Sequence, residues 1–226
     1  MFYYDWTMVL LLPGIIITLI AQMKINSTYQ KFSKVASRGG VPAWQVARRF
    51  LDANGLHEVS VQRVAGNLTD HYDPRDKVLR LSESVYDSTS VAALGVACHE
   101  CGHAIQDSEA YGPLRFRSFM VPVANLGARG SWILIILGML MGMMGLVQIG
   151  IILFSAVVVF QLVTLPVEFN ASNRALAALD SGGYLTETEM PMARKVLSAA
   201  ALTYVAAALT SILQLLRLLL IFRRQE

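Results

Sequence analysis

Four stretches of the chain carry almost no charge, and each is long enough to cross a lipid bilayer. A helical span takes about 17–25 mostly apolar residues, because the hydrocarbon is roughly 30 Å thick and a helix rises 1.5 Å per residue. Trp6 to Met23, Ser131 to Val147, Gly150 to Pro166 and Ala199 to Ile221 qualify. Pro13-Gly14 in the first is tolerable inside a membrane helix. The fourth is charged only at Arg217, close enough to its end to snorkel. The second and third spans are so close together that the pattern predicts a hairpin turning at Gln148-Ile149-Gly150. The first span reads as an uncleaved anchor. Its basic residues Lys24, Lys31 and Lys34 follow the apolar run, and no small-x-small cleavage site comes after it.

Between the first two spans the pattern changes to that of a small α+β module. Tyr29, Phe32 and Val35 continue at helical spacing until Gly39-Gly40. Pro42 suits the first turn of a second helix, whose apolar stripe of Trp44, Ala47, Phe50 and Leu51 ends at Asn54-Gly55. Glu58 to Val64 alternates as a strand, and Lys77 to Leu81 forms another after the turn residues Asp73-Pro74-Arg75. Ser90 is placed to cap a helix running to about Asp107. After the third span a short helix is expected from Pro166 to Leu179, broken at Ser181-Gly182-Gly183. Thr186-x-x-Glu189 then has the spacing of a capping box, opening a long helix that continues into the fourth span.

The fold class expected is therefore a mainly α-helical multi-pass membrane protein with about four transmembrane helices and a small cytoplasmic α+β core. Its segments are an anchor (1–23), an α+β domain (24–130), a transmembrane hairpin (131–166), a second polar segment (167–198) and a last span with its tail (199–226). Composition agrees: 54% of the 226 residues are hydrophobic and 15% charged, against about 25% charged in soluble chains. Disorder, collagen-like repeats and a disulfide scaffold are excluded. The net charge of +3 is small, and the basic residues form no nucleic-acid patch. They cluster instead beside the spans, at Lys24, Lys31, Lys34, Arg38, Arg115, Arg117, Arg129, Arg174, Arg194 and Lys195. By the positive-inside rule this puts 24–130 and 167–198 in the cytoplasm and both termini outside. The basic tail, Arg223-Arg224, runs against that orientation. Gly138-x-x-x-Gly142 has the small-residue spacing of helix packing and leaves the oligomeric state open.

The chemistry is concentrated in Cys98-His99-Glu100-Cys101-Gly102-His103, which contains His-Glu-x-x-His. At 100° per residue His99 and His103 differ by a net 40°, so both imidazoles project from one helix face a turn apart. Two ligands of one tetrahedral Zn²⁺ need that geometry. Glu100, 100° round from His99, can reach water beside the ion without occupying a coordination position. The histidines hold the ion, the ion lowers the water's pKa towards about 7, and the glutamate takes the proton. Two histidines at chance spacing are the bland alternative, a rare coincidence in a chain with four.

A catalytic zinc also needs a third protein ligand and an open position. No histidine lies downstream, and Glu168, just past the third span, is the carboxylate that stands out. It also reads as an ordinary acid at a helix start. Two spans separate it from His103, so in either orientation it returns to the same side of the membrane. Cys98 and Cys101 lie at −100° and 200° from His99, away from the histidine face, and read as small, reduced, buried residues.

The runs Leu68-Thr69-Asp70-His71-Tyr72-Asp73-Pro74-Arg75 through Ser82, Val85-Tyr86, His99 to Gln106, and Glu168-Phe169-Asn170-Ala171-Ser172 resemble the YugP-type membrane zinc metallopeptidases of bacteria over nearly the whole chain. More distantly the chain is similar to membrane gluzincins of the HtpX and CAAX prenyl protease type. The resemblance implies one Zn²⁺ per chain held by His99, His103 and Glu168, with Glu100 as catalytic base, in a bacterial inner membrane with the site facing the cytoplasm. The chain departs at Ser172, where the distant relatives have an acid that supports a ligand. His71, Arg174 and Tyr184 are candidates for a group that stabilises the transition state, each with a structural alternative. A peptide or membrane-protein substrate could align beside Lys77–Leu81 as an added strand. The rival readings are a catalytically idle membrane scaffold with a structural zinc, disfavoured by Glu100, and a transporter, disfavoured by spans without charge.

Overall fold

The apolar stretches fold as helices because lipid leaves no other partner for their backbone groups. The computed structural model describes residues 6–223. Arg224 of the basic tail and the first five residues of the N-terminal segment lie outside the described residues. In chain order the elements are a 3-10 turn (Trp6–Leu11), α1 (Leu12–Phe32), α2 (Ala43–Ala53), β1 (Ser60–Val64), β2 (His71–Asp73), β3 (Val78–Ser82), α3 (Glu83–Tyr86), α4 (Val91–Ser108), α5 (Gly112–Met141), α6 (Met144–Ser181) and α7 (Met190–Arg223). The segments group into two compact units. One comprises Met1–Gln22, Arg115–Leu165 and Leu202–Glu226; the other comprises Met23–Leu114 and Pro166–Ala201.

Among the described residues four helices are long and apolar enough to cross a membrane, Thr7–Phe32, Gly112–Met141, Met144–Ser181 and Met190–Arg223, and the first unit takes the larger apolar part of each. Ile16, Leu19, Leu126, Ile133, Leu140 and Ile152 are exposed on them, an arrangement suited to lipid and not to water. The hairpin turns earlier than the sequence suggested, at Gly142-Met143 instead of 148–150. Gly142 adopts φ +66°, and Met143 N–H donates to Gly138 O at 2.8 Å, the backbone pattern of a glycine helix stop. The apolar run continues unbroken through the turn, so hydropathy could not mark it, and polar Gln148 pointed to the wrong place. Gly138 packs against Val147 and Gly150 against the Ser131 carbonyl, which uses the small residues within the hairpin. Arg217 Nε donates to Thr7 Oγ1 at 3.3 Å.

The second unit is the α+β part. Its sheet has the order β1-β3-β2, with β1 parallel to β3 (Ser60 opposite Val78) and β2 antiparallel to it (His71 opposite Arg80). Sequence alternation anticipates β1 and β3 but not β2, whose three residues are too few to show a period. Arg80 braces the hairpin through Asp73 at 2.8 Å and Asp76 at 2.9 Å. Since β3 is the middle strand, a peptide cannot add beside Lys77–Leu81, and that expectation is corrected. The open edges belong to β1 and β2.

Helix α4 is the centre of this unit. Ser90 Oγ accepts from Ala93 N–H at 3.2 Å, the N-cap the sequence predicts. Val91 N–H donates to Val35 O, and Ser37 N–H to Thr89 O, pinning the helix start to the chain that leaves α1. Leu94, Ala97, Cys98, Cys101 and Ile105 then pack with Val46, Ala47 and Leu51 of α2, Leu79 and Leu81 of β3, Ala175 and Leu179 of α6, and Leu197 of α7. Pro166 lies inside α6, which continues to Ser181 as one helix and not as the separate short helix expected. Before α7, Glu189 accepts from Thr186 N–H with one carboxylate oxygen and from Arg38 N–H with the other, both at 2.8 Å.

Helices α4 and α6 meet closely at Gly102, where an added Cβ would lie 2.7 Å from the Ala171 carbonyl oxygen and 3.0 Å from its Cα. Backbone cannot yield as a side-chain tip can. Gly102→Ala is therefore expected to cost about 1–3 kcal/mol through overpacking and to spread the two helices. Thermal unfolding of the purified full chain will show a lowered midpoint, and Gly102→Val will lower it further.

Candidate metal centre

The three candidate metal ligands come from the two helices that meet at Gly102. His99 and His103 occupy successive turns of α4, their ring centroids 4.8 Å apart and their planes nearly perpendicular. Glu168 of α6, only 2% exposed, faces both. Its Oε2 lies 3.2 Å from His99 Nε2 and 3.7 Å from His103 Nε2. Ligand atoms of the three residues all lie within 4.8 Å of one another.

Zinc ligands at about 2.0–2.2 Å in a tetrahedron are about 3.3–3.5 Å apart, close to the two distances to Glu168. The donor set of two imidazoles and a carboxylate suits zinc as well.

The hydrogen bonds behind the rings make the fit more specific. Gln106, fully buried, donates from Nε2 to the Val167 carbonyl at 2.8 Å and to Asn170 Oδ1 at 2.9 Å. A backbone carbonyl only accepts, so the amide can have just one orientation, with Oε1 towards His103 Nδ1 at 3.0 Å. That oxygen in turn only accepts, so His103 carries a proton on Nδ1. In the neutral imidazole, Nε2 then presents its lone pair towards Glu168. Ser172 Oγ stands 3.1 Å from His99 Nδ1 and permits the same tautomer there. Metal-binding histidines are oriented by such partners. Gln106 and Asn170 are not among the residues that the sequence pattern singles out. The available signal was helical spacing, since Gln106 lies three residues past His103 on the same face.

Glu100 is half-buried beside the pair and makes no side-chain hydrogen bond among the described residues. Burial raises its carboxyl above the ordinary carboxylate range; the two imidazoles oppose that rise only in part, and the Glu168 carboxylate adds to it. It is thus a carboxylate without a structural hydrogen bond, next to the ligand atoms.

The other candidates are held elsewhere. Arg174 makes a two-pronged ion pair with Glu109 at 2.6 and 3.0 Å and donates from Nε to Asn170 at 2.8 Å. It therefore braces the Gln106 network from behind. Tyr184 lines, with Arg174, Phe50 and Ile105, a cavity of about 440 Å³. His71 is exposed on β2, with Nδ1 2.8 Å from the Thr69 carbonyl. Cys98 and Cys101 are free and fully buried in the core. Burial pushes the Cys98 thiol up to about 12 and raises Cys101 as well, so in the absence of a metal both are protonated thiols.

A helical membrane protein with a partly buried His/His/Glu group fit for a metal ion is the class that fold and site define. The chain belongs to the family described as "Putative neutral zinc metallopeptidase", which matches residues 7–223. It is 52% identical over 202 residues to the "Putative membrane protease YugP" of Bacillus subtilis (strain 168), covering 89% of this chain and 90% of that protein. No solved structure matches the chain.

Proposed function

We propose that the chain is a gluzincin-like peptidase that binds one Zn²⁺ through His99, His103 and Glu168 and cleaves peptide bonds at the cytoplasmic face of a bacterial inner membrane. The observation that carries this reading is the approach of Glu168 to two histidines of a His-Glu-x-x-His helix, one of them with its tautomer fixed by Gln106. In this reading segments 24–130 and 167–198 face the cytoplasm, and 1–23, 131–166 and 199–226 serve the membrane. The substrate is a peptide or a segment of a membrane protein.

Zinc, when bound, supplies a Lewis acid that polarises the scissile carbonyl and makes water more acidic. Glu100 takes a proton from the attacking water as the new C–O bond forms, then delivers it to the departing amine nitrogen as the C–N bond breaks. Ser172 and Gln106 keep the imidazoles facing inward, while Asn170, Arg174 and Glu109 hold Gln106 in place.

Metal removal tests the reading. The purified full chain, incubated with a library of unstructured peptides and read by mass spectrometry, is expected to generate new peptide termini. Cleavage should stop with 1,10-phenanthroline and return on addition of one equivalent of zinc. A fully zinc-loaded protein that cleaves no member of a broad library would favour the scaffold with a structural ion.

A further inference from the structure

A second feature of the polar unit lies apart from the histidine pair. Lys24 and Lys31 of α1 and Arg194 and Lys195 of α7 line one groove of about 520 Å³. On α1 the lining residues Lys24, Ser27, Thr28 and Lys31 follow i, i+3, i+4, i+7, a single helix face. On α7, Ser198 lies one turn from Arg194. All four cationic side chains are exposed. No Asp or Glu occurs at 23–35 or 190–201, and among the described residues none of the four is in an ion pair. Like charges gathered without a counter-ion repel one another, and an anion between them relieves that repulsion.

We propose that this groove binds the phosphodiester headgroup of an anionic phospholipid. Two hydroxyls, from Thr28 and Ser198, are available to the phosphate oxygens beside the four cations, while that of Ser27 donates to the Lys24 carbonyl at 3.2 Å. Position along the chain favours a lipid over a dissolved anion. Lys24 directly follows the apolar stretch 6–23, Ser198 directly precedes 199–221, and α1 and α7 each run unbroken through that change. Basic residues at such a change lie at headgroup level, and basic pockets between membrane helices are suited to anionic headgroups.

Native mass spectrometry of the full chain in neutral detergent, given equal phosphatidylglycerol and phosphatidylcholine, tests the proposal. The wild type should retain phosphatidylglycerol preferentially, by about tenfold or more. Lys31→Gln with Arg194→Gln should bring the two lipids near parity. The charge-conserving pair Lys31→Arg with Arg194→Lys should keep the preference, and so should Arg49→Gln with Arg75→Gln, two exposed cations outside the groove. Equal retention by the wild type, or an equal fall in the Arg49/Arg75 variant, would overturn the site. Displacement of the lipid by excess inorganic phosphate, with the same dependence on Lys31 and Arg194, would overturn the lipid as its ligand and make it a site for soluble phosphate.

Discussion

Glu100→Gln is expected to keep its zinc and to lose peptide cleavage by about 10²–10⁴-fold, the range that a positioned general acid–base group contributes. The substitution preserves shape and removes basicity, so it isolates proton transfer. Glu100 stands 100° round α4 from His99 and makes no side-chain hydrogen bond among the described residues, so neither the fold nor the ligand set depends on its charge. Two readouts are needed together, metal content and cleavage rate. Full zinc with undiminished cleavage would remove Glu100 from the chemistry. Zinc lost along with activity would show instead that its carboxylate belongs to the ligand set.

The second large effect is expected from Glu168→Ala. This carboxylate is 2% exposed, and its Oε2 is the atom that both Nε2 atoms approach, at 3.2 and 3.7 Å. Without it two histidines are left, and zinc affinity should fall by more than about 100-fold, beyond the 10–100-fold typical of losing an outer-shell partner. Gln106→Leu and Ser172→Ala supply that milder comparison, with expected losses of about 10–100-fold each. Competition with a fluorescent zinc chelator measures the whole series. If Gln106→Leu weakened zinc as much as Glu168→Ala, Glu168 would have no special standing.

Much of this arrangement is legible along the chain because it rests on short-range geometry. The i, i+4 spacing of His99 and His103, the cap at Ser90 and the alternation of β1 and β3 are local signals. Glu168 was reachable for a different reason: two spans lie between it and His103, and parity alone places both on one side. What stayed hidden depends on neighbours distant in sequence. Nothing in Lys77–Leu81 shows that both of its edges are occupied. The polar residues Gln106 and Asn170 gain meaning only when α6 brings Val167 opposite α4. Arg174 looks available until Glu109, 65 residues away, is found bonded to it. The turn at Gly142-Met143 was missed because no polar residue marks it, and only the backbone freedom of glycine stops the helix there.

X-ray absorption at the zinc edge, taken on the purified full chain and on Glu168→Ala, addresses the metal directly. The wild type should show zinc coordinated by two imidazole nitrogens and oxygen, with no sulfur, and the variant should hold little or no zinc. A sulfur ligand from Cys98 or Cys101, or an unchanged spectrum at equal zinc content in the variant, would contradict a centre built from His99, His103 and Glu168.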